Sequence, residues 1–409
     1  MDILILLLGG NPLPNFITAD YLLNPDRNDQ DGLPVPGKIL FVSTERTEKF
    51  YNSIINLLRK KHSENFPHTE EIKLNDKHRL PKTIQDKIKE TLKNHNSINS
   101  IHLSYTGGTK PMAANAFAAA IEVAQEKIKL ILSDLDPDNF KLTSLITTSN
   151  NKMIEKNFPG SVCEDLRDYV HLNIDEIFDL HGMVKKEEEL KKFNIDTIQF
   201  SLKMASDYKK GTKRNQFLNI CKEIAQDDPK LNEKIVSNHP YLKGIFDENF
   251  NRRITPGQFF HFINGKWLEY YIYTGLEEIK NEHNLLIEMN IEAQYEKRKC
   301  EIDVIAVKGH QMFLFSCTTS RGIKLVKQKA FEALFRAEQL GGEHAKVIVV
   351  STMFNIPCEA KLSWKNNLKE LEKDIKQFNA DQKCELIGID ELSNEKEFLR
   401  KLKDIITQN

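Results

Sequence analysis

Residues 106–112, with the sequence Thr-Gly-Gly-Thr-Lys-Pro-Met, combine residue types that bind phosphate groups. Gly107 and Gly108 let a ligand approach the backbone closely, and amide groups at the start of a helix point towards anions. Lys110 adds a mobile positive charge. The spacing matches neither a Walker loop nor a dinucleotide fingerprint. The segment therefore predicts a phosphate-binding turn of another type, and the alternative is an ordinary glycine-rich turn between a strand and a helix.

Two carboxylates in the last third of the chain lie in apolar sequence. Glu269 shares a helical stripe with Ile272 and Leu276, and Asp303 lies inside the apolar segment 302–305. A carboxylate among apolar side chains needs a partner or a bound cation. Asp303 is therefore expected to contact a charged partner or an ion, and Glu269 is a candidate metal ligand. For Glu269 the alternative is a charge at the edge of the helix that turns out to solvent.

Alternating strand and helix signals predict the elements that position the phosphate-binding turn. Residues 1–8 form an apolar run that is too short to span a bilayer and lacks a basic leader, so we expect a buried first strand. Further strands are predicted at residues 39–43, 72–74, 101–105 and 128–133, with helices between them. This order is typical of an α/β domain with a parallel, doubly wound, Rossmann-like sheet.

Ligands of such sheets bind beyond the carboxyl ends of the strands. Three loops of this chain are predicted to meet there. The candidate ligand-binding residues are Gly10, Asn11, Pro12 and Asn15 after the first strand, Thr44 and Glu45 after the second, and Thr106, Gly107, Gly108, Thr109, Lys110 and Met112 after the fourth. Thr44 is also predicted to cap the helix that follows it.

The composition limits the classes of function. The chain has 409 residues and a net charge of -1, which favours two or three domains and excludes a strongly basic nucleic-acid coat. Its six cysteines show neither zinc spacing nor close pairing, as is typical of the reducing cytoplasm, and no membrane span is predicted. We predict a ligand-sensing domain at 1–150, a helical connector at 151–247 and a third unit at 248–409. A basic cluster at 209–214 is either a surface loop or a contact to a nucleic-acid backbone.

The two loop motifs together resemble those of a known family. Gly-Gly-Asn-Pro-Leu-Pro-Asn after the first strand and Thr-Gly-Gly-Thr-Lys-Pro-Met after a later one resemble CRISPR-associated Rossmann-fold (CARF) sensor domains fused to a restriction-endonuclease-like domain. The resemblance implies a homodimer that binds a cyclic oligoadenylate, most often cyclic tetra-adenylate, made by type III CRISPR complexes. Backbone amides and small polar side chains suit such a phosphodiester ring.

The carboxy-terminal unit is similar to the PD-(D/E)xK nuclease fold. A helix with Glu269 is followed by predicted strands at 285–295, 300–307 and 312–316. The resemblance implies that Glu269, Asp303 and the carbonyl of Cys317 bind Mn²⁺ or Mg²⁺. It places Ser316 at the Glu/Ser position of the family motif.

The lysine of that motif is missing, because Thr318 occupies its position. One explanation is a lysine relocated to the next helix, where Lys324, Lys327 and Lys329 follow Gly322; we choose Lys324 and Lys327 as catalytic candidates. The other explanation is an inactive centre in a ligand-responsive regulator. We favour a working, metal-dependent nuclease that cleaves DNA or RNA. A ring nuclease that cleaves the cyclic ligand ranks third, since Glu45 is the only evident base in the crevice.

Overall fold

Two β-sheets form the framework of the computed structural model, which describes residues 1–27, 32–63, 66–75, 80–95, 97–125, 127–148, 150, 152–186, 201–202, 204–206, 209, 262–295, 298–320, 322–353, 368–377 and 383–407. Most of the predicted connector lies outside these residues. The basic cluster at 209–214 also lies outside them, apart from Lys209, whose Nζ is 3.1 Å from Asp390 Oδ1.

The first sheet has seven strands. In chain order they are β1 Asp2–Leu7, β2 Lys38–Ser43, β3 His68–Lys73, β4 Ser100–Ser104, β5 Lys129–Asp136, β6 Lys141–Thr147 and β7 Met153–Phe158. The spatial order is β3-β2-β1-β4-β5-β6-β7, with β1 to β5 parallel and β6 and β7 antiparallel. The predicted Rossmann-like sheet is thus confirmed. It extends past residue 150, the predicted domain boundary, because the hairpin of β6 and β7 spans that residue.

Helices cover both faces of this sheet. They are α1 Leu13–Leu23, α2 Glu48–Lys61, α3 Pro81–Lys93, α4 Lys110–Ala124 and, after the sheet, α5 Ile174–Leu180. Successive side chains of a strand point to opposite faces. Leu4 and Leu6 of β1 accordingly lie in the apolar cluster with α1 and α2, whereas Ile3 and Ile5 lie in the cluster with α3 and α4. The apolar run of β1 is therefore buried on both faces, as parallel sheets require.

The second sheet has six strands and a different topology. They are β8 Val184–Lys186, β9 Leu285–Tyr295, β10 Arg298–Lys308, β11 Gln311–Thr318, β12 Lys346–Ser351 and β13 Cys384–Ile387. Strands β8 to β11 form an antiparallel meander, and β11, β12 and β13 are parallel. Strand β8 comes from the region predicted as a helical connector, so the chain enters this sheet soon after it leaves the first domain.

The helices of the second domain also pack on both faces. They are α6 Trp267–His283, which follows a π-helical turn at Phe262–Lys266, then α7 Ile323–Leu340, α8 Leu368–Gln377, α9 Ile389–Leu392 and α10 Glu395–Thr407. Helices α6 and α10 share one apolar cluster, and α7 and α8 share another on the opposite face. Among the described helices, none has the length and apolar character needed to cross a membrane.

Contacts between the two domains centre on Arg167. Its guanidinium lies over the Phe140 ring at 4.0 Å, and its Nη1 donates to Gln311 Oε1 at 2.7 Å. Phe140 follows β5 of the first sheet, and Gln311 begins β11 of the second. The first domain therefore packs directly against the β10–β11 hairpin.

Candidate functional site

The loops after β1 and β4 are packed together through glycines. A Cβ atom at Gly9 would lie 2.8 Å from the amide nitrogen of Gly108, and one at Gly107 would lie 2.1 Å from the carbonyl oxygen of Leu7. Gly108 also has a positive φ of 79°. Side chains at these positions would separate the two loops, so the glycines are required for their close approach.

Helix α4 begins at the predicted phosphate-binding turn. The Thr109 side chain caps it by accepting a hydrogen bond from the Met112 amide at 3.4 Å. Lys110 is exposed at the first position of the helix, while Met112 is fully buried beneath the turn. Lys110 is thus accessible to a ligand, whereas Met112 packs in the core.

Thr106 holds the turn against the neighbouring strand β5. Its Oγ1 donates to Asp134 Oδ1 at 2.9 Å and accepts from the Leu135 amide at 2.7 Å. These two bonds occupy the hydroxyl group in the described chain. Thr106 therefore positions the turn rather than presenting a free hydroxyl to a ligand.

The loop after β1 places its asparagines differently. Asn11 is partly exposed, and its Oδ1 accepts a hydrogen bond from the Leu13 amide at 2.8 Å. Asn15 is 1% exposed and donates to the Leu7 carbonyl at 3.0 Å, which ties α1 to the end of β1. Its Oδ1 is buried and has no hydrogen-bond partner among the described residues. Gly10 is exposed and Pro12 is buried, so the rim of this loop consists of Gly10 and Asn11.

The loop after β2 reaches the same end of the sheet, because the Leu8 amide donates to the Val42 carbonyl at 2.9 Å. The N-cap residue of α2 is Thr47, not the predicted Thr44. Thr44 is buried and donates its amide proton to Thr47 Oγ1 at 2.9 Å, whereas Glu45 is exposed. A further turn of irregular chain therefore lies between the strand and the helix.

The two predicted acids meet in the second domain. Glu269 of α6 is only 8% exposed, and Asp303 of β10 accepts a hydrogen bond from the Cys317 amide at 2.7 Å. Burial and the neighbouring Asp303 carboxylate raise the pKa of Glu269 to about 7. The Lys266 ammonium, 2.8 Å from Glu269 Oε2, opposes this shift. Two carboxylates in this arrangement favour a shared cation or a retained proton.

Side chains of β10 alternate between the two faces of the sheet, and this alternation is interrupted at Asp303. The β9–β10 ladder pairs Ile302 with Ile291 and Val304 with Met289 but skips Asp303 and Asn290. Residues two apart in a strand normally face the same side. Here, however, Ile302 packs in the α7 cluster and Val304 in the α6 cluster.

The residue opposite Asp303 shows the same irregularity. Asn290 has a positive φ of 54°, and its Oδ1 accepts a hydrogen bond from Lys266 Nζ. Backbone strain of this kind is concentrated at functional sites. Asn290 and Lys266 support the acids from the α6 side of the sheet, and sequence reasoning missed both. The three-residue spacing from Lys266 to Glu269 on one helical turn is the signal that would have found the lysine.

The positive charge next to Asp303 comes from Lys329 of α7. Its Nζ is 3.9 Å from Asp303 Oδ2 and 3.5 Å from the Cys317 carbonyl oxygen. Lys327 instead lies 2.6 Å from Asp374 and 3.3 Å from Glu370 of α8.

Lys324, the remaining candidate lysine, and Thr318, at the motif position, differ in exposure. Lys324 is exposed, and Thr318 is buried at the end of β11. The geometry therefore points to Lys329 in place of the predicted Lys324 and Lys327.

A cleft of about 120 Å³ lies beside Asp303 and Lys329, where β10 and β11 diverge. The last pair of their ladder is Val304 with Phe315, so Asp303 and Ser316 stand at the opening. The lining residues are Glu301, Ile302, Asp303, Leu314, Phe315, Ser316, Lys329, Glu332, Ala333 and Arg336.

The donor atoms around Asp303 fit a hard divalent cation. The carboxylates of Glu269 and Asp303 and the carbonyl of Cys317 are all oxygen donors, which Mg²⁺ and Mn²⁺ prefer. Burial and the two carboxylates raise the pKa of the Cys317 thiol, so this residue would bind through its carbonyl. Within the described chain, no cluster of three His, Cys, Asp or Glu side chains forms a metal site. The main-chain carbonyl is therefore part of the proposed ligand set.

Comparisons with known proteins agree with this architecture. Residues 258–406 match the family model of the Card1-like endonuclease domain. Can2 from Sulfobacillus thermosulfidooxidans, solved in complex with cyclic tetra-adenylate, is similar over 100% of both chains, with a TM-score of 0.64 and 16% identity. The protein VC1899 from Vibrio cholerae is similar over 100% of this chain and 99% of its own, with a TM-score of 0.64 and 16% identity. No curated protein sequence matches the chain. The match at residues 258–406 agrees with the endonuclease-like domain predicted for this part of the chain, and the two solved structures show that the chain shares their overall fold.

Proposed function

We propose that this chain, whose carboxy-terminal part is a Card1-like endonuclease domain, is a metal-dependent nuclease activated by a cyclic oligoadenylate. The observation that carries the proposal is the convergence of Glu269 and Lys329 on Asp303, which lines one cleft together with Lys329. Two acids and one lysine are the groups that a PD-(D/E)xK centre uses, and here the lysine comes from the following helix. The substitution of Thr318 for the motif lysine is then no obstacle to activity.

The chain's own groups have distinct roles in the proposed cleavage. Glu269, Asp303 and the Cys317 carbonyl would hold the divalent ion, which supplies charge neutralisation and an activated water when bound. Lys329 would place its ammonium beside the scissile phosphate, where negative charge develops in the transition state. Ser316, at the opening between the strands, would contact the same phosphate through its hydroxyl group.

Arg336 extends the substrate site along α7. It lines the same cleft as Asp303 and Lys329. Its Nη1 donates to Gln339 Oε1 at 3.0 Å, and its buried Nε has no hydrogen-bond partner in the described part of the chain. Seven residues of helix separate Lys329 from Arg336, about 10 Å, which exceeds the width of one phosphate group. We therefore assign Arg336 to a neighbouring phosphate of a DNA or RNA strand.

The activator site lies at the carboxyl ends of β1, β2 and β4. Backbone amides of the packed glycine loops and the α4 N-terminus offer donors to phosphodiester groups, and Lys110 offers a charge. The structural similarity to Can2, which was solved with cyclic tetra-adenylate, supports this ring as the first ligand to test.

An exposed apolar stripe on α4 supports the predicted homodimer. Phe117 and Ile121 are 39% and 46% exposed, and the exposed Ala114 and Ala118 lie on the same helical face. Helix α4 starts at the activator loop, so a second copy packed on this stripe would bring two loops to one ring. A two-fold site of this kind matches a ligand with rotational symmetry.

One experiment separates the candidate functions. Full-length protein is incubated with Mn²⁺, supercoiled plasmid and single-stranded RNA, with and without cyclic tetra-adenylate. Cleavage that requires both the ring and the metal supports the proposal. Ligand binding without cleavage of either substrate supports the regulator, which Thr318 favours, and loss of the ring itself supports the ring nuclease.

A further inference from the structure

Helix α7 contacts both proposed sites. Lys329, on its second turn, lies beside Asp303, and the helix ends at Leu340 next to the loop after β1. Nine residues, about 13 Å of helix, separate Lys329 from Glu338. A hydrogen-bonded helix moves as a unit, so a displacement of its carboxy-terminal end changes the position of Lys329.

The first domain supplies the hydrogen bonds at that end. The last carbonyl groups of a helix have no partner within the helix. Asn11 Nδ2 donates to the Glu338 carbonyl oxygen at 3.5 Å, and the His181 ring is held by its Nδ1, 2.8 Å from the Ile177 carbonyl oxygen. His181 Nε2 also lies 3.3 Å from Asn11 Oδ1. Asn11 therefore caps the helix that carries Lys329, and the His181 ring lies against Asn11.

The packing around this cap is tight. Gly342, just after the helix, has a positive φ of 60°, and a Cβ atom there would lie 2.8 Å from Asn11 Nδ2. His181 is 5% exposed, so its ring fills the space between Asn11 and the helix. Movement of the Asn11 side chain and movement of the α7 terminus are thus sterically linked.

We propose that Asn11 is a positioning residue that links activator binding to the nuclease centre through α7; this inference rests on the proposed function. Asn11 is on the rim of the activator site and also caps α7. A phosphodiester group that attracts the Asn11 amide withdraws it from Glu338. The end of α7 is then released, and Lys329 shifts relative to Asp303.

Two variants should have the same effect on ligand-free cleavage but opposite effects on ligand affinity. Gly342→Ala displaces the Asn11 amide without removing any ligand contact. It should raise cleavage without activator and tighten cyclic tetra-adenylate binding, each by about fivefold or more, because both follow from a larger population of the state in which the end of α7 is released. Asn11→Ala should also raise cleavage without activator but weaken ligand binding, since it loses both contacts.

The matched control is Gly32→Ala. Gly32 has a positive φ of 78°, so an alanine there introduces a similar backbone strain at a site away from α7. The atom nearest to the added Cβ would be 3.9 Å away, so no steric clash is introduced. Equal ligand-free cleavage and equal affinity in Gly342→Ala and Gly32→Ala would overturn the proposed coupling. If the wild type itself neither binds the ring nor cleaves, the proposed function fails instead.

Amide hydrogen exchange tests the cap without ligand or activity. Asn11→Ala should raise exchange in the last turn of α7, at residues 337–341, relative to both the wild type and Gly32→Ala. Unchanged exchange there would show that Asn11 does not cap the helix and would overturn the inference.

Discussion

Lys329 Nζ lies 3.9 Å from Asp303 Oδ2, although the motif position that normally supplies this charge holds Thr318. Helix α7, which carries Lys329, packs on one face of the second sheet, and α6, which carries Glu269, packs on the other. The break in the β9–β10 ladder at Asp303 allows groups from both faces to meet. The proposed centre therefore combines residues of four elements, α6, β10, β11 and α7, rather than of one strand motif.

Replacement of Lys329 should identify the functional lysine. Lys329→Ala should reduce activator-dependent cleavage by about 10²-fold or more, as expected when a transition-state contact is lost. Lys327→Ala and Lys324→Ala are the controls on the same helix and should remain close to wild type in single-turnover assays. Thr318→Lys should partly restore the Lys329→Ala protein, because it returns an ammonium to the strand. A fully active Lys329→Ala protein would exclude this residue.

The pKa of Glu269 predicts a pH dependence of stability. Its pKa is raised from 4.5 to about 7 in the folded protein, so between these pH values the unfolded chain releases a proton that the folded chain retains. The free energy of unfolding therefore falls as the pH rises through this window. Glu269→Gln should remove this contribution, on the order of 3 kcal/mol at 1.36 kcal/mol per pKa unit.

Urea unfolding at pH 5 and pH 8 in EDTA measures this difference. The wild type should lose more stability than Glu269→Gln over that interval. Mn²⁺ at pH 8 should stabilise the wild type but not Asp303→Asn, since bound metal replaces the proton between the acids. The same pH dependence in wild type and Glu269→Gln would contradict the assigned environment of Glu269.

The activator loop can be tested at its exposed charge. Lys110→Ala should weaken cyclic tetra-adenylate binding by on the order of 1.5–3 kcal/mol, the range for hydrogen bonds to charged groups. Gly108→Val should weaken binding further, because its Cβ would lie 2.8 Å from Leu7 Cβ and would push the loops apart. Calorimetry gives the affinity, and circular dichroism shows whether each variant is folded. Wild-type affinity in both variants would refute the loop assignment.

The apolar stripe on α4 predicts the dimer contact. Ile121→Glu should shift the protein from dimer to monomer and weaken ring binding, because a charge would be buried in the contact. Leu325→Glu on α7 is the control, since Leu325 is also 46% exposed. Analytical ultracentrifugation separates the two forms. A dimeric Ile121→Glu protein with normal ring affinity would place the contact elsewhere.

Local sequence patterns predicted the elements better than their mutual positions. Strand β9 spans Leu285–Tyr295 as predicted, since its apolar residues and turn signals are local. Strand β8 could not be predicted, because its pairing with β9 joins residues about a hundred positions apart. The N-cap at Thr47 rather than Thr44 reflects the extra turn after β2.

The choice among the lysines of α7 depends on helical phase. The buried stripe of this helix contains Val326, Ala330 and Ala337. At 100° per residue, Lys329 lies on one side of that stripe and Lys327 on the other. The sequence shows the stripe, but only the packed structure shows that the Lys329 side faces Asp303 and the Lys327 side faces α8.

Cleavage by Asp303→Asn, measured beside its ring affinity, tests the central claim most directly. The substitution keeps the shape of the side chain but removes the charge that a hard cation needs. With Mn²⁺ and saturating cyclic tetra-adenylate, we expect the wild type to cleave nucleic acid and Asp303→Asn to be inactive, with equal affinity for the ring by calorimetry. An Asp303→Asn protein that cleaves at the wild-type rate would contradict the proposed centre.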